Sequence, residues 1–296
     1  MAAPGLDFGM VPVSWKDCTG YAQNFASERI ENFVTFPAAG YSTSTWADFT
    51  SPRLKESLFY EIQHYVDRSL YHLIVGKWMV CSGALTWGLV SYYYSSFFAA
   101  QAAIRLKGIF FVKINWDSET VVPPTHRLEV VNLLNDRYRI RKAAGVSEHK
   151  RVWNVFFEQY GKLSARPGFA KYSPIVAETD PDLRLVEMHR RHLVNYVPGY
   201  GYQEIRSQKA AQLLKAELSR DLFQDRSKAL DHDDGQLEVR AFMRLELCLH
   251  LLNEISLQGG HYQIHHPALT IRRRKMLRDF SCPGTLEKRV ETVLIG

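Results

Sequence analysis

The 296 residues, 46% hydrophobic and 23% charged, carry no internal repeat or low-complexity segment and suit a globular chain with one large core or two small ones. Thirty-seven Lys and Arg against 31 Asp and Glu give a formal charge of +6 and a pI near 9.0, which favours acidic partners such as nucleic acid without requiring one. The widely separated Cys18, Cys81, Cys248 and Cys282 suggest neither a disulfide framework nor a zinc knuckle and fit a reducing cytoplasm.

Met1 opens a stretch without the basic start and apolar run of a signal peptide. Residues 1–52 are rich in Pro, Gly, Ser and Thr with scattered aromatics, and predict an irregular extension lying on the core. Leu54, Leu58, Ile62, Tyr65, Leu70 and Leu73 then follow a helical stripe from Pro52 to about Met79, with Ser51 expected as its cap. Residues 86–107 hold the longest uncharged helical pattern, with Arg105 and Lys107 placing positive charge at its C-terminal end. Trp87, Ser91, Tyr94, Phe98 and Ala102 share one face and Val90, Phe97 and Ile104 widen it, so this helix is expected to be buried on more than one side, from an N-cap at Thr86 to Gly108. The uncharged run 78–104 is long enough to cross a bilayer, but its serines, glycines, tyrosines and Gln101 argue against a membrane span.

Beyond Gly108, the β-branched and aromatic run GIFFVKINW predicts a strand or extended loop. Residues 127–141 and 147–163 read as helices, the second capped by Ser147 with Val152, Val155, Phe156 and Tyr160 inward. Asp180 and Pro181 start a helix that ends at VPGYGY, and 203–223 continues helically. DHDDG at Asp231 marks a break, followed by helices over 237–257 and 268–280.

Several clusters bear on chemistry. RLVEMHRRH places Arg184, His189, Arg190 and His192 on one basic helix, either a phosphate-binding face or a solvated side balanced by Asp182 and Glu187. Tyr200 and Tyr202 offer rings for base stacking, or cap a tight turn. Arg272, Arg273, Arg274 and Lys275 form the densest positive run, which suits phosphate contact for some members and solvation for the rest. His261, His265 and His266 lack a nearby carboxylate or thiol and make a poor metal motif, and DHDDG lacks the spacing of a calcium loop, so no metal or cofactor is expected. Arg184 with His189, Arg226 with His232 and Arg244 with His250 share a spacing that chance alone supplies.

Four blocks in order, SYYYSSFFAAQAAIRLKG, EHKRVWNVFFEQYGKL, LRLVEMHRRHLVNYVP and YQEIRSQKAAQLLKAEL, resemble helices of the HEPN superfamily of bacterial helical proteins. The second block opens with His149, as the equivalent family helix often does. The resemblance implies an all-α, HEPN-like helical bundle over 53–223, between an irregular extension (1–52) and a C-terminal helical region (224–296). Its active members are metal-independent ribonucleases, commonly dimeric, in bacterial toxin–antitoxin or antiviral defence settings. It therefore implies RNA or a nucleotide as ligand, a homodimer or larger complex, a partner protein encoded nearby, and a cytoplasmic location.

Aligned by the blocks, the family's site falls on Arg191, Asn195 and Tyr196, with tyrosine where a nuclease carries histidine. Tyr, with a pKa near 10, is a poor base, so the base expected for catalysis is His189 or His192. The alternative implied is a non-catalytic module that binds RNA, nucleotides or other proteins. On an ideal helix Arg191 and Asn195 share a face, whereas Arg191 and Tyr196 stand about 140° apart, and a kink or second subunit is expected to bring Tyr196 in.

Overall fold

The computed structural model describes residues 13–19, 22–27, 30, 45–114, 123–165, 168–176, 183–196, 234–257 and 267–279. These form seven helices, α1 (Leu54–Cys81), α2 (Leu85–Leu106), α3 (Glu148–Tyr160), α4 (Ser173–Val176), α5 (Val186–Tyr196), α6 (Asp234–Leu257) and α7 (Pro267–Asp279). Four strands accompany them, β1 (Ala47–Thr50), β2 (Ile109–Lys113), β3 (Thr125–Asn132) and β4 (Arg137–Lys142). The protein is mostly helical, but the antiparallel sheet, ordered β1-β4-β3-β2, corrects the all-α expectation. Two compact units divide the chain: Met1–His64, Ala102–Val146 and Leu251–His266 form unit 1, and Tyr65–Gln101, Ser147–His250 and Pro267–Gly296 form unit 2.

In unit 1 the expected helix over 127–141 is instead a hairpin. Leu128, Tyr138 and Ile140 are buried while Arg127, Arg139 and Arg141 are only partly covered, the period-two alternation of a half-buried sheet. Its turn is built locally. Asn132 Oδ1 accepts the Leu134 and Asn135 N–H groups at 2.9 and 3.3 Å, and Asp136 takes a φ of 50°, a left-handed conformation that Asp tolerates better than most residues. Leu133 and Leu134 supply the apolar signal that mimics helical spacing. Phe111 pairs with Arg127 in the β2–β3 ladder, so the strand expected after Gly108 is present.

The described residues of the N-terminal extension include specific contacts with the core. A 3-10 turn, Val13–Asp17, buries Trp15, whose indole N–H donates to the Leu106 carbonyl at 3.0 Å and so satisfies one of the open acceptors at the α2 end. The Trp15 ring stacks on Phe59 at 5.4 Å. Glu56 and Glu61 of α1 then bind the segment, accepting the Thr19 N–H and hydroxyl at 3.0 and 2.9 Å and the Ala26 N–H at 3.0 Å. Gly108, with φ 81°, ends α2 as expected. Ser51 does not cap α1 with its side chain: Oγ is buried without a partner, and the carbonyl accepts Leu54 N–H at 3.2 Å.

In unit 2, α1 and α2 form a hairpin through the turn at Ser82, Gly83 and Ala84. Helix α2 is buried on several sides, with Tyr92, Tyr93, Phe97, Phe98 and Ala99 all inside. Two parts of the expectation change: α2 starts at Leu85, so Thr86 lies within its first turn, and Trp87 is 63% exposed. The hairpin closes on glycine. A Cβ built on Gly88 would stand 2.5 Å from a Val80 methyl and 3.0 Å from the Gly76 carbonyl, and one on Gly76 would meet the Tyr92 ring at 2.7 Å. Gly88→Ala should therefore lower stability by about 1–3 kcal/mol through overpacking. A denaturant midpoint equal to wild type would contradict this close approach.

Candidate functional site

A cluster of chemically able side chains lies in unit 2, where α2, α3 and α5 each supply one part. Successive residues on a helix point about 100° apart, so Tyr93 is buried in the core while its neighbour Tyr94 reaches the half-buried rim. Helix α3 starts as expected, with Ser147 Oγ accepting Lys150 N–H at 3.4 Å. That cap sets His149 in the first turn, half-buried, with its ring stacked on Phe97 at 4.2 Å. Tyr93 Oη and His149 Nδ1 are 2.5 Å apart. From α5, Arg191 Nη2 donates to Tyr94 Oη at 2.9 Å, and its guanidinium stands 5.8, 5.5 and 5.9 Å from the ring centres of Tyr93, Tyr94 and Tyr196.

What holds α5 in this place is Glu187, one turn before Arg191 on the same helix face. Of the two readings of this segment, the one that puts Glu187 on a solvated side does not hold for that residue, for its side chain is buried. Its oxygens accept from Ser96 Oγ at 2.9 Å, from Arg244 Nη1 at 2.6 and 2.8 Å, and from Arg240 Nη1 at 3.5 Å. Arg244 also bonds Ser96 Oγ and lies over the Trp153 ring at 4.6 Å. Burial opposes ionisation of Glu187, but the Arg244 and Arg240 charges outweigh it and hold the carboxyl below its ordinary range.

Electrostatics divide the roles further. Burial first, and the Arg191 charge second, lower His149 below the ordinary imidazole value, so the ring is neutral at pH 7. Burial raises the Tyr93 hydroxyl, which stays protonated. Burial works against the Arg191 charge, but the Tyr94 hydrogen bond and the surrounding tyrosines more than restore it. A permanent cation thus stands beside a neutral imidazole at a partly open surface. A guanidinium grips phosphate oxygens, and an imidazole accepts a proton near neutral pH.

The structure brings together only some of the residues expected at the site. Tyr196 joins Arg191 within a single helix, so neither a kink nor a second subunit is needed; the long arginine side chain spans the angular offset. His192 is exposed, with its ring 4.9 Å from Tyr196. Asn195 is half-buried and His189 exposed on the same helix. Arg184 lies over Phe157 at 5.9 Å. The backbone of Arg190 lies in α5 and its side chain falls outside the described residues, as do Tyr200, Tyr202, Arg226, His232, His261, His265 and His266.

The basic run on α7 divides. Arg273 is fully buried with Nε 2.7 Å from Asp67 Oδ1, and Arg272 bonds the other oxygen of Asp67. A buried, paired guanidinium cannot reach a phosphate, so Arg273 leaves the expected nucleic-acid surface; Arg272, paired with Asp67, is partly exposed, and Arg274 and Lys275 are exposed. Arg244 is likewise enclosed. The unanticipated site residues are His149, Tyr93 and Tyr94. The signal for them was a tyrosine pair among small residues and a histidine two positions after a capping serine.

Among the described residues, no group of three or more His, Cys, Asp and Glu is placed to hold a metal ion, and no helix is long and apolar enough to cross a membrane. Comparison of the chain with protein-family models, curated proteins and solved structures finds no match.

Two outcomes follow from this geometry. Glu187→Ala strands Arg244 as an uncompensated buried charge and should cost about 3–5 kcal/mol; an unchanged unfolding midpoint would show that the cluster does not anchor α5. In an NMR titration His149 should protonate below the ordinary 6.5, and Arg191→Gln should move that transition upward by removing a repelling charge. A transition that stays put would separate the two side chains electrostatically.

Proposed function

We propose that unit 2 acts on RNA at the Arg191–His149 site, as a metal-independent endoribonuclease of the HEPN type in a bacterial toxin–antitoxin or antiviral defence system. The observation that carries this reading is the neutral His149 imidazole beside the unneutralised Arg191 guanidinium, held together by Tyr93 and Tyr94. The resemblance of four blocks in this chain to HEPN helices supports it.

In this scheme His149 Nε2 takes the proton of a ribose 2′-hydroxyl, and the 2′ oxygen attacks the adjacent phosphorus. Arg191 holds the phosphoryl oxygens as charge grows on them. The bond to the 5′ oxygen breaks, that oxygen takes a proton from a water at the open rim beside Tyr196, and the hydroxide left behind takes the proton from the His149 imidazolium, restoring the neutral ring. The products are a 2′,3′-cyclic phosphate and a 5′-hydroxyl. His189 and His192, expected earlier as bases, become peripheral. Tyr196, 63% exposed, offers a ring to a base instead of acting on a proton.

A second reading has one observation in its favour: Tyr196 stands where the family's nucleases carry histidine. In that reading the protein is a non-catalytic HEPN-like module that binds RNA, nucleotides or other proteins. Both readings include a cytoplasmic protein that self-associates through the segment around Arg184 and Tyr196, or meets a partner protein encoded nearby. Light scattering at micromolar concentration checks the association, and a monomer throughout would remove it.

If the chain cleaves RNA, His149→Ala should lower the rate by about two to four powers of ten, and Arg191→Ala should do at least as much. His189→Ala and His192→Ala should leave the rate near wild type. The rate should fall with acid through the lowered His149 transition, because only the neutral ring accepts a proton, and a chelator should have no effect. Substrate with 2′-deoxy sugars should remain whole. RNA left intact throughout, but bound in an Arg191-dependent and salt-sensitive way, would favour the module.

A further inference from the structure

A second arginine without an acidic partner stands on the same unit. Arg68 of α1 is exposed, with its guanidinium 4.4 Å from the Phe98 ring centre. The adjacent carboxylate, Asp67, is taken by Arg272 and Arg273, and no described residue forms an ion pair with Arg68 or Arg191. Between the two arginines runs a chain of rings. His72, one turn beyond Arg68, lies 5.3 Å from Phe98 and 5.7 Å from Tyr94, the residue whose hydroxyl receives Arg191.

The connecting rings add no negative charge. His72 is pushed down to about 4 by burial and by Arg68, so it is neutral, and its Nδ1 has no hydrogen-bond partner among the described residues. Tyr71, 41% exposed, stands edge-on to His72 at 5.5 Å. At the far end, Tyr196 lies against Arg191. Cations at both ends of a row of rings, with aromatic faces exposed at its margins, is the arrangement that binds single strands: cations follow the phosphates while rings accept bases of any identity.

We propose that Arg68 holds a second phosphate of the strand whose first phosphate lies on Arg191, so that unit 2 binds a run of single-stranded nucleic acid instead of a lone nucleotide. This rests on the preceding assignment of Arg191 to a phosphate. If Arg68 only stabilises the helix surface through Phe98, its loss alters stability without touching ligand length or salt dependence.

The test measures binding of fluorescein-labelled 2′-O-methyl hexauridylate, which lacks the nucleophilic hydroxyl, by anisotropy over a range of salt, and binding of UMP by calorimetry. Arg68→Gln should weaken the hexamer roughly tenfold, lower the magnitude of its log–log salt slope by about 0.7, and leave UMP unchanged. Arg68→Lys should keep the salt slope. Arg191→Gln should weaken both ligands. A hexamer bound equally by wild type and Arg68→Gln, while Arg191→Gln loses it, would overturn the second phosphate position and leave the Arg191 assignment standing. Wild-type binding by both glutamine variants would overturn that assignment and the second position with it.

Discussion

Unit 2 depends on a carboxylate that could not be buried alone. Taking Glu187 out of water costs several kcal/mol unless its charge is met, and Ser96, Arg240 and Arg244 meet it from α2 and α6. The three helices are therefore tied through one point, and Arg244 reaches it from a position over the Trp153 ring. Because Glu187 and Arg191 are four residues apart on α5, fixing the first orients the second. The buried cluster thus positions the partly open one.

The same device recurs elsewhere in the molecule. Lys77 meets Glu238 at 3.0 Å, Arg273 meets Asp67 at 2.7 Å, and within unit 1 Arg105 meets Glu61 at 3.6 Å. Each of these cations enters the interior with an acid, so the excess of +6 survives, but its location changes. Positive charge left facing solvent belongs to fewer residues than the basic motifs suggest. Arg68 and Arg191 are distinguished less by being arginines than by having aromatic neighbours and no carboxylate.

Much of the helical frame was legible because α1, α2, α3, α6 and α7 have apolar periods of helical length and recognisable ends at Ser147 and Gly108. The hairpin of β3 and β4 was not, because a leucine pair at 133–134 falls at spacings that continue a helical stripe. Only the Asn–Asp turn chemistry marked the reversal. Arg191 and its contact with Tyr196 were within reach of motif logic, although helix geometry on its own placed them apart; side-chain length closed the gap. His149 could not be found from spacing in its own helix, since its partners come from α2 and α5. Nor could any one-dimensional pattern show that Arg273 faces inward and Arg274 outward, which depends on Asp67 more than two hundred residues earlier.

The sheet has a consequence for how the chain is made. Among the described residues its edge strand β1 pairs with β4 alone, Ala47 opposite Ile140, so everything from α1 to β3 is synthesised before β1 acquires that neighbour. The hairpin of α1 and α2 closes from local contacts and needs no such delay. During translation, residues 47–50 therefore wait as an unpaired edge beside helices already able to form, and a nascent chain halted before residue 137 exposes Phe49 without Tyr138 to cover it. An unpaired strand with an uncovered aromatic is the kind of feature through which partly made chains meet one another.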